Sequence, residues 1–169
     1  MNLEEAIKTA LEYEHQVTDV YNQEADNLTS AVAKKIFQDL GQEEQGHVDY
    51  LNHKLSEWQE TGKVTVEKLD TIVPNKKTIE AGVKNLKKNP EGSIMDEEVE
   101  LFKKALEMEI KASNFFKELV EKLPEEDKPL FRRFMEIEEG HEAIIKAELD
   151  NARGLGYWFD FQEFNLEAG

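Results

Sequence analysis

The chain has 169 residues, enough for one domain with a full core and too few for two comfortable ones. Its 28 Glu and 9 Asp outweigh 21 Lys plus Arg, giving a formal charge of −16; this argues against nucleic acid, because repulsion replaces the counterion release that drives phosphate binding. Cysteine is absent, which excludes disulfides, thiolate zinc sites, thiol nucleophiles and cysteine-held iron–sulfur centres, so any metal must sit on oxygen or imidazole.

Apolar residues recur at intervals of three and four, and Gly and Pro gather in a few clusters, so the pattern predicts long helices and no sheet. The first helix is expected from about Asn2 to Asn27, with Ile7, Ala10, Leu11, Val17, Tyr21 and Ala25 on its apolar stripe. Thr29 or Ser30 can cap a second helix that lasts to Thr61 and Gly62 and turns Val32, Ile36, Phe37, Leu40, Leu51, Leu55 and Trp58 inward. The pattern weakens from Lys63 to Met95, where Pro74, Pro90 and Gly92 break it around a short helix across Lys76 to Lys88. Ser93 or Asp96 then caps a third long helix reaching about Leu123, with Phe102, Ala105, Leu106, Phe116, Leu119 and Val120 on one face. Pro124 ends it. A fourth long helix runs from about Asp127 to Ala152, tolerates Pro129 in its first turn and carries Phe131, Phe134, Ile137, Ile144 and Ile145.

Two short connections and one long one predict an all-α fold, a ferritin-like four-helix bundle over residues 1–153 with a crossover at 63–95. An up-and-down bundle would leave that crossover without a purpose. Residues 154–169 form a tail that holds Tyr157, Trp158, Phe159, Phe161 and Phe164, a density of aromatics costly to leave in water. It is expected to dock on the bundle or on a partner subunit.

The two halves resemble each other in nearly constant register. ALEYE at 10–14 matches ALEME at 105–109, and Phe37, Glu44, Gly46, His47 and Leu55 match Phe131, Glu138, Gly140, His141 and Leu149. Each half is thus a helix with an inward Glu followed by one bearing Glu-x-Gly-His. Residues three apart lie on one side of a helix, so Glu44 with His47, and Glu138 with His141, each present two donors together. Those sides are the apolar stripes, which Glu14 and Glu109 also interrupt.

Four carboxylates and two imidazoles are therefore expected in the core. Buried uncompensated carboxylates cost several kcal/mol each and repel one another. Two divalent cations cancel the four charges when both imidazoles are neutral, and a donor set of oxygen and nitrogen suits iron or manganese. Without metal, some of the carboxylates should carry protons. Glycines beside the candidate ligands, Gly46 and Gly140, suggest close approach of helices at the metal layer, or tight packing alone.

Spacing by itself is weak evidence: Glu12 with His15 has it too and points away from the stripe. His15 and His53 read as surface or boundary residues. The competing reading is an acidic bundle whose His and Glu form buried hydrogen bonds without metal, serving as an interaction module.

Across its four long helices the sequence resembles the rubrerythrin branch of the ferritin-like superfamily. The resemblance implies Glu14 and Glu109 as terminal ligands, Glu44 and Glu138 as bridging carboxylates, His47 and His141 as terminal imidazoles, and Tyr21 as the tyrosine that supports catalysis beside the metals. Three departures stand out. The four Cys of a rubredoxin domain are missing, Ala112 stands where the family carries an additional Glu, and Phe116, which matches Tyr21 in the repeat, has no hydroxyl.

The resemblance implies a peroxide- or dioxygen-reducing protein with two iron ions, manganese or a mixed pair being open, that draws electrons from an external donor such as a rubredoxin. The alternative is a ferroxidase or iron-storage protein using the same centre. A homodimer is expected, with neither nucleic acid nor membrane as partner. MNLEEAIK has neither the basic start nor the apolar run of a secretory signal, and no stretch reaches the ~20 apolar residues that span a bilayer, so the cytoplasm is the expected location.

Overall fold

The computed structural model describes residues 1–83 and 96–152, which are helical with irregular connections and contain no strand. The four long helices are α1 (Leu3–Glu24), α2 (Ala31–Thr61), α4 (Asp96–Lys122) and α5 (Lys128–Ala152), with a short α3 (Lys76–Val83) in the crossover. Their ends follow local chemistry. Asn2 and Glu5 form a reciprocal capping box, in which the Asn2 side chain accepts from Glu5 N at 2.9 Å and the Glu5 carboxylate accepts from Asn2 N at 3.0 Å. α1 tightens into a 3₁₀ turn over Ala25–Asn27, short of the uninterrupted helix expected there. Ser30 caps α2, and Gly62 ends it at a φ of 68°, a left-handed conformation that glycine adopts without strain. Asn75 caps α3 by accepting from Thr78 N.

Contacts between the helices give the topology. Tyr21 meets Phe37 while Glu14 meets His47, so α1 and α2 are antiparallel; Phe116 meets Phe131 and Phe134 while Glu109 meets His141, so α4 and α5 are too. Tyr21 reaches Glu109 and Tyr13 stacks on Phe115, which makes α1 antiparallel to α4 and leaves α2 parallel to α4. That is the ferritin-like arrangement. At the turn between α1 and α2, Glu98 of α4 accepts from Thr29 N at 2.6 Å and Ser30 N at 2.8 Å and so binds the two hairpins together.

The described part of the crossover, residues 63–83, runs along α2 and α5. Lys54, fully buried, pairs with Glu57 and Glu67 where it begins, Tyr50 donates to Glu67 O, and Arg133 donates to Leu69 O. Farther along it, Val73 and Ile79 are buried. The apolar core falls into two clusters, one near Leu3, Leu51, Phe116 and Phe131 and the other near Tyr21, Phe37, Phe102 and Ile144.

Nearly all the expected inward residues are buried or half-buried, and Val32 is the correction: it is 48 % exposed. The α2 stripe runs through Ala33, Ile36, Phe37 and Leu40, and one residue earlier the side chain has turned about 100° away from it. No helix among the described residues is long and apolar enough to cross a membrane. The expected continuation of α3 to Lys88, the Ser93 cap and the aromatic tail at 154–169 lie outside the described residues.

Candidate metal centre

Between the two apolar clusters the four long helices each send polar side chains into one layer. α1 contributes Glu14, α2 Glu44 and His47, α4 Glu109, and α5 Glu138 and His141; none is more than 1 % exposed. Each sits where its helix's apolar stripe would otherwise place a hydrocarbon, so the packing that buries the stripe also buries the donor. His47 Nδ1 lies 3.1 Å from both Glu14 and Glu44 and 3.3 Å from Glu138. His141 Nδ1 lies 2.5 Å from Glu44, 3.8 Å from Glu109 and 4.0 Å from Glu138. The two imidazoles stack 5.5 Å apart and almost parallel.

These donors form two overlapping groups, Glu14, Glu44, His47 and Glu138 in one, Glu44, Glu109, Glu138 and His141 in the other, with the candidate ligand atoms of each group within 4.8 Å of one another. Glu44 and Glu138 are common to both. The pattern is what two adjacent cations sharing two bridging carboxylates require. The hydrogen-bond inventory fits the same occupants: Glu14 Oε1, Glu109 Oε2 and both Glu138 oxygens are buried without a hydrogen-bond partner. A buried polar atom left in that state costs about 1–3 kcal/mol, more when charged, and a bound cation removes the cost.

Protons partly do the work of cations when no metal is present. Desolvation, reinforced by Glu138 and Glu44, holds Glu14 well above the usual carboxylate range, and desolvation with Glu44 does the same to Glu109. Glu138 is raised by burial and by Glu44. Burial also opposes ionisation of Glu44, but His141 and His47 overcome it and hold Glu44 low. Both imidazoles rise well above their ordinary range, because Glu44 outweighs the desolvation that would lower them. The layer without metal thus combines imidazolium, carboxylate and neutral carboxylic acid.

Tyr21, fully buried, donates its hydroxyl to Glu109, and burial together with Glu109 raises its pKa so that the proton stays on. Phe116, its counterpart in the repeat, is also buried but stacks on Phe134 at 5.1 Å and offers no donor. Ala112 is fully buried, so nothing polar occupies that position. His15, His53 and Glu12 are exposed.

The glycine expectation needs correction. A Cβ on Gly46 would meet nothing within 4 Å, because that face of α2 is open. On Gly140 it would stand 2.8 Å from Pro74 O, so the close approach there is by the crossover and not by a neighbouring helix. Gly41 is the glycine at a tight helix contact, where a Cβ would lie 3.1 Å from Tyr21 Cβ.

Glu43 was not anticipated. It reaches His141 Nε2 at 3.2 Å, and with His47 and His141 it makes a third group of possible ligands. The repeat holds the signal that marks it, since its counterpart is Ile137, a buried core residue.

The family model for rubrerythrin matches residues 1–55, a span that includes Glu14, Tyr21, Glu44 and His47. Over those residues the chain is similar to rubrerythrin. No curated protein and no solved structure gives a significant match. Glu109, Glu138 and His141, on α4 and α5, lie beyond the matched span, and the internal repeat and the shared layer connect them to Glu14, Glu44 and His47.

Proposed function

We propose that this protein holds two iron ions in the six-donor layer and uses them to reduce hydrogen peroxide or dioxygen, with electrons from an external donor. The observation that carries the reading is the sharing of Glu44 and Glu138 between the two donor groups. Manganese, or one ion of each kind, suits the same donors. Two bound ions of this type supply a pair of electrons together and stabilise the oxygens as they separate.

The chain's own residues set the conditions for that chemistry. Glu14, Glu44, Glu109, Glu138, His47 and His141 would hold the pair, with the charge of four carboxylates cancelled inside the core. Tyr21 keeps its proton and donates it in a hydrogen bond to Glu109, which orients that carboxylate from outside the donor set. Reduction of peroxide to water consumes protons as well as electrons, and Tyr21 holds one at its hydroxyl against Glu109. The apolar clusters on either side keep bulk water from the layer. The 169 residues hold no cysteine for a rubredoxin-type iron, and the reading assigns electron delivery to an external donor.

The charge of −16 favours a second reading, in which the same centre oxidises Fe²⁺ for storage and the acidic surface concentrates the cation. Anaerobic Fe²⁺ titration followed by peroxide tests both, comparing the native chain with Glu44→Ala and His141→Ala. Saturation at two ions, rapid oxidation by peroxide and loss of both in the variants are expected. Uptake far beyond two ions, in a hollow assembly detected by sedimentation, would favour storage, and no saturable uptake would sink both readings.

A further inference from the structure

Glu43 stands outside the six donors yet touches one of them. Its Oε1 accepts from His141 Nε2 at 3.2 Å, from α2 across to α5, and the Thr71 hydroxyl donates to the same oxygen. Its Oε2 accepts from the Ile72 backbone N–H at 3.0 Å. The Glu43 side chain is 7 % exposed, so burial and three donors fix it in place. His47 has no equivalent support: its Nε2 is buried without a hydrogen-bond partner. Nor does the repeat supply one, because Ile137 stands where a second Glu43 would be.

An imidazole that donates from one ring nitrogen is held in rotation and tautomer, and presents the other nitrogen to a ligand. We infer that Glu43 is a positioning residue: it fixes His141 with Nδ1 toward Glu44, Glu109 and Glu138, ties that ring to the crossover through Thr71 and Ile72, and so makes the two metal positions unequal. The position served by His141 binds more tightly and exchanges more slowly. The position served by His47 is the labile one, because no hydrogen bond at Nε2 holds that ring. The inequality of the metals rests on the proposed metal reading, whereas the fixing of the ring does not.

The test uses the full chain with Zn²⁺ as a diamagnetic probe, imidazole proton–nitrogen NMR and competitive titration against a chelator, in the native protein, Glu43→Ala, Glu43→Gln and Thr71→Val. The native protein should show a slowly exchanging, hydrogen-bonded Nε2–H from His141 and none comparable from His47, with or without Zn²⁺, and two Zn²⁺ affinities of different strength. Glu43→Ala should erase that signal and weaken the tighter Zn²⁺ by about 10–100-fold. Glu43→Gln keeps an acceptor and should retain the signal with a smaller loss, and Thr71→Val should speed the exchange of the same proton. Circular dichroism checks folding, and if Glu43→Ala does not fold, the other two variants carry the test.

Retention of the signal and of both affinities in Glu43→Ala would overturn the assignment, as would equal weakening of both positions in a folded variant. Should the native chain take up no Zn²⁺, the metal reading fails separately. The Nε2–H signal then still decides the role of Glu43: presence in the native chain and loss in Glu43→Ala support it, and absence from the native chain overturns it.

Discussion

The hairpin of α1 with α2 and the hairpin of α4 with α5 bring matching donors to the central layer, Glu14, Glu44 and His47 from one, Glu109, Glu138 and His141 from the other. The polar groups that support those donors do not match. Tyr21 donates to Glu109 and Glu43 accepts from His141, so both supports come from the first hairpin and act on the second. Their counterparts, Phe116 and Ile137, are hydrocarbon and support nothing in return. Gly140 lies under Pro74 while Gly46 faces open space. Donor positions thus follow from helical periodicity, which the repeat preserves, and the surroundings that tune them depend on contacts between hairpins and with the crossover, which the repeat does not determine.

The largest effect should come from the two carboxylates that belong to both donor groups. Glu44→Ala or Glu138→Ala is expected to weaken both metal positions, by more than about 100-fold, in anaerobic titration with Fe²⁺ or Mn²⁺. Glu14→Ala or Glu109→Ala should weaken mainly the position on its own side, and equal loss from all four variants would break the division into two groups.

Acidity comes next. His47, His141, Glu14 and Glu109 hold protons more tightly than usual in the metal-free fold, so loading must expel them. Metal affinity should fall as pH falls, by about tenfold per pH unit for each proton displaced, and protons should appear in weakly buffered solution on loading. The same raised values give the metal-free fold a contribution to stability that is lost as pH rises through them. Glu44, held low, opposes this, since its contribution is lost only at strongly acid pH. Urea titrations of metal-free protein across the neutral to alkaline range would read the slope; a metal affinity independent of pH would contradict the scheme.

Gly140→Ala should destabilise by about 1–3 kcal/mol, because its Cβ would collide with backbone and not with a side chain that can swing aside. Tyr21→Phe should keep two metals bound while slowing peroxide-driven oxidation about tenfold, since Glu109 loses the donor that orients it. Gly46→Ala is the smallest change and of opposite sign, a gain of up to about 1 kcal/mol from better helix propensity. Equal denaturation midpoints for the two glycine variants would erase that difference between the hairpins.

The helices, their caps at Ser30 and Gly62 and the parallel run of α2 and α4 were legible because stripe periodicity and loop length determine them. The burial of Glu14, Glu44, His47, Glu109, Glu138 and His141 was legible for a related reason: a polar side chain on an apolar stripe announces itself as an exception. Glu43 was not, because it sits beside Glu44 in an acidic run, and its partners Thr71 and Ile72 lie in an irregular connection without periodicity. Lys54 follows the same logic, since two of its partners, Thr65 and Glu67, come from the start of the crossover. The two glycines looked alike in sequence for want of the same information, the path taken by residues 63–75.

Anomalous diffraction from crystals of the full chain saturated with Mn²⁺ or Fe²⁺ would locate the metals directly. Two neighbouring peaks are expected inside the bundle, one coordinated by Glu14 and His47, the other by Glu109 and His141, and both by Glu44 and Glu138. A single peak, peaks confined to the surface, or an empty layer in crystals of folded, metal-saturated protein would contradict the dinuclear centre.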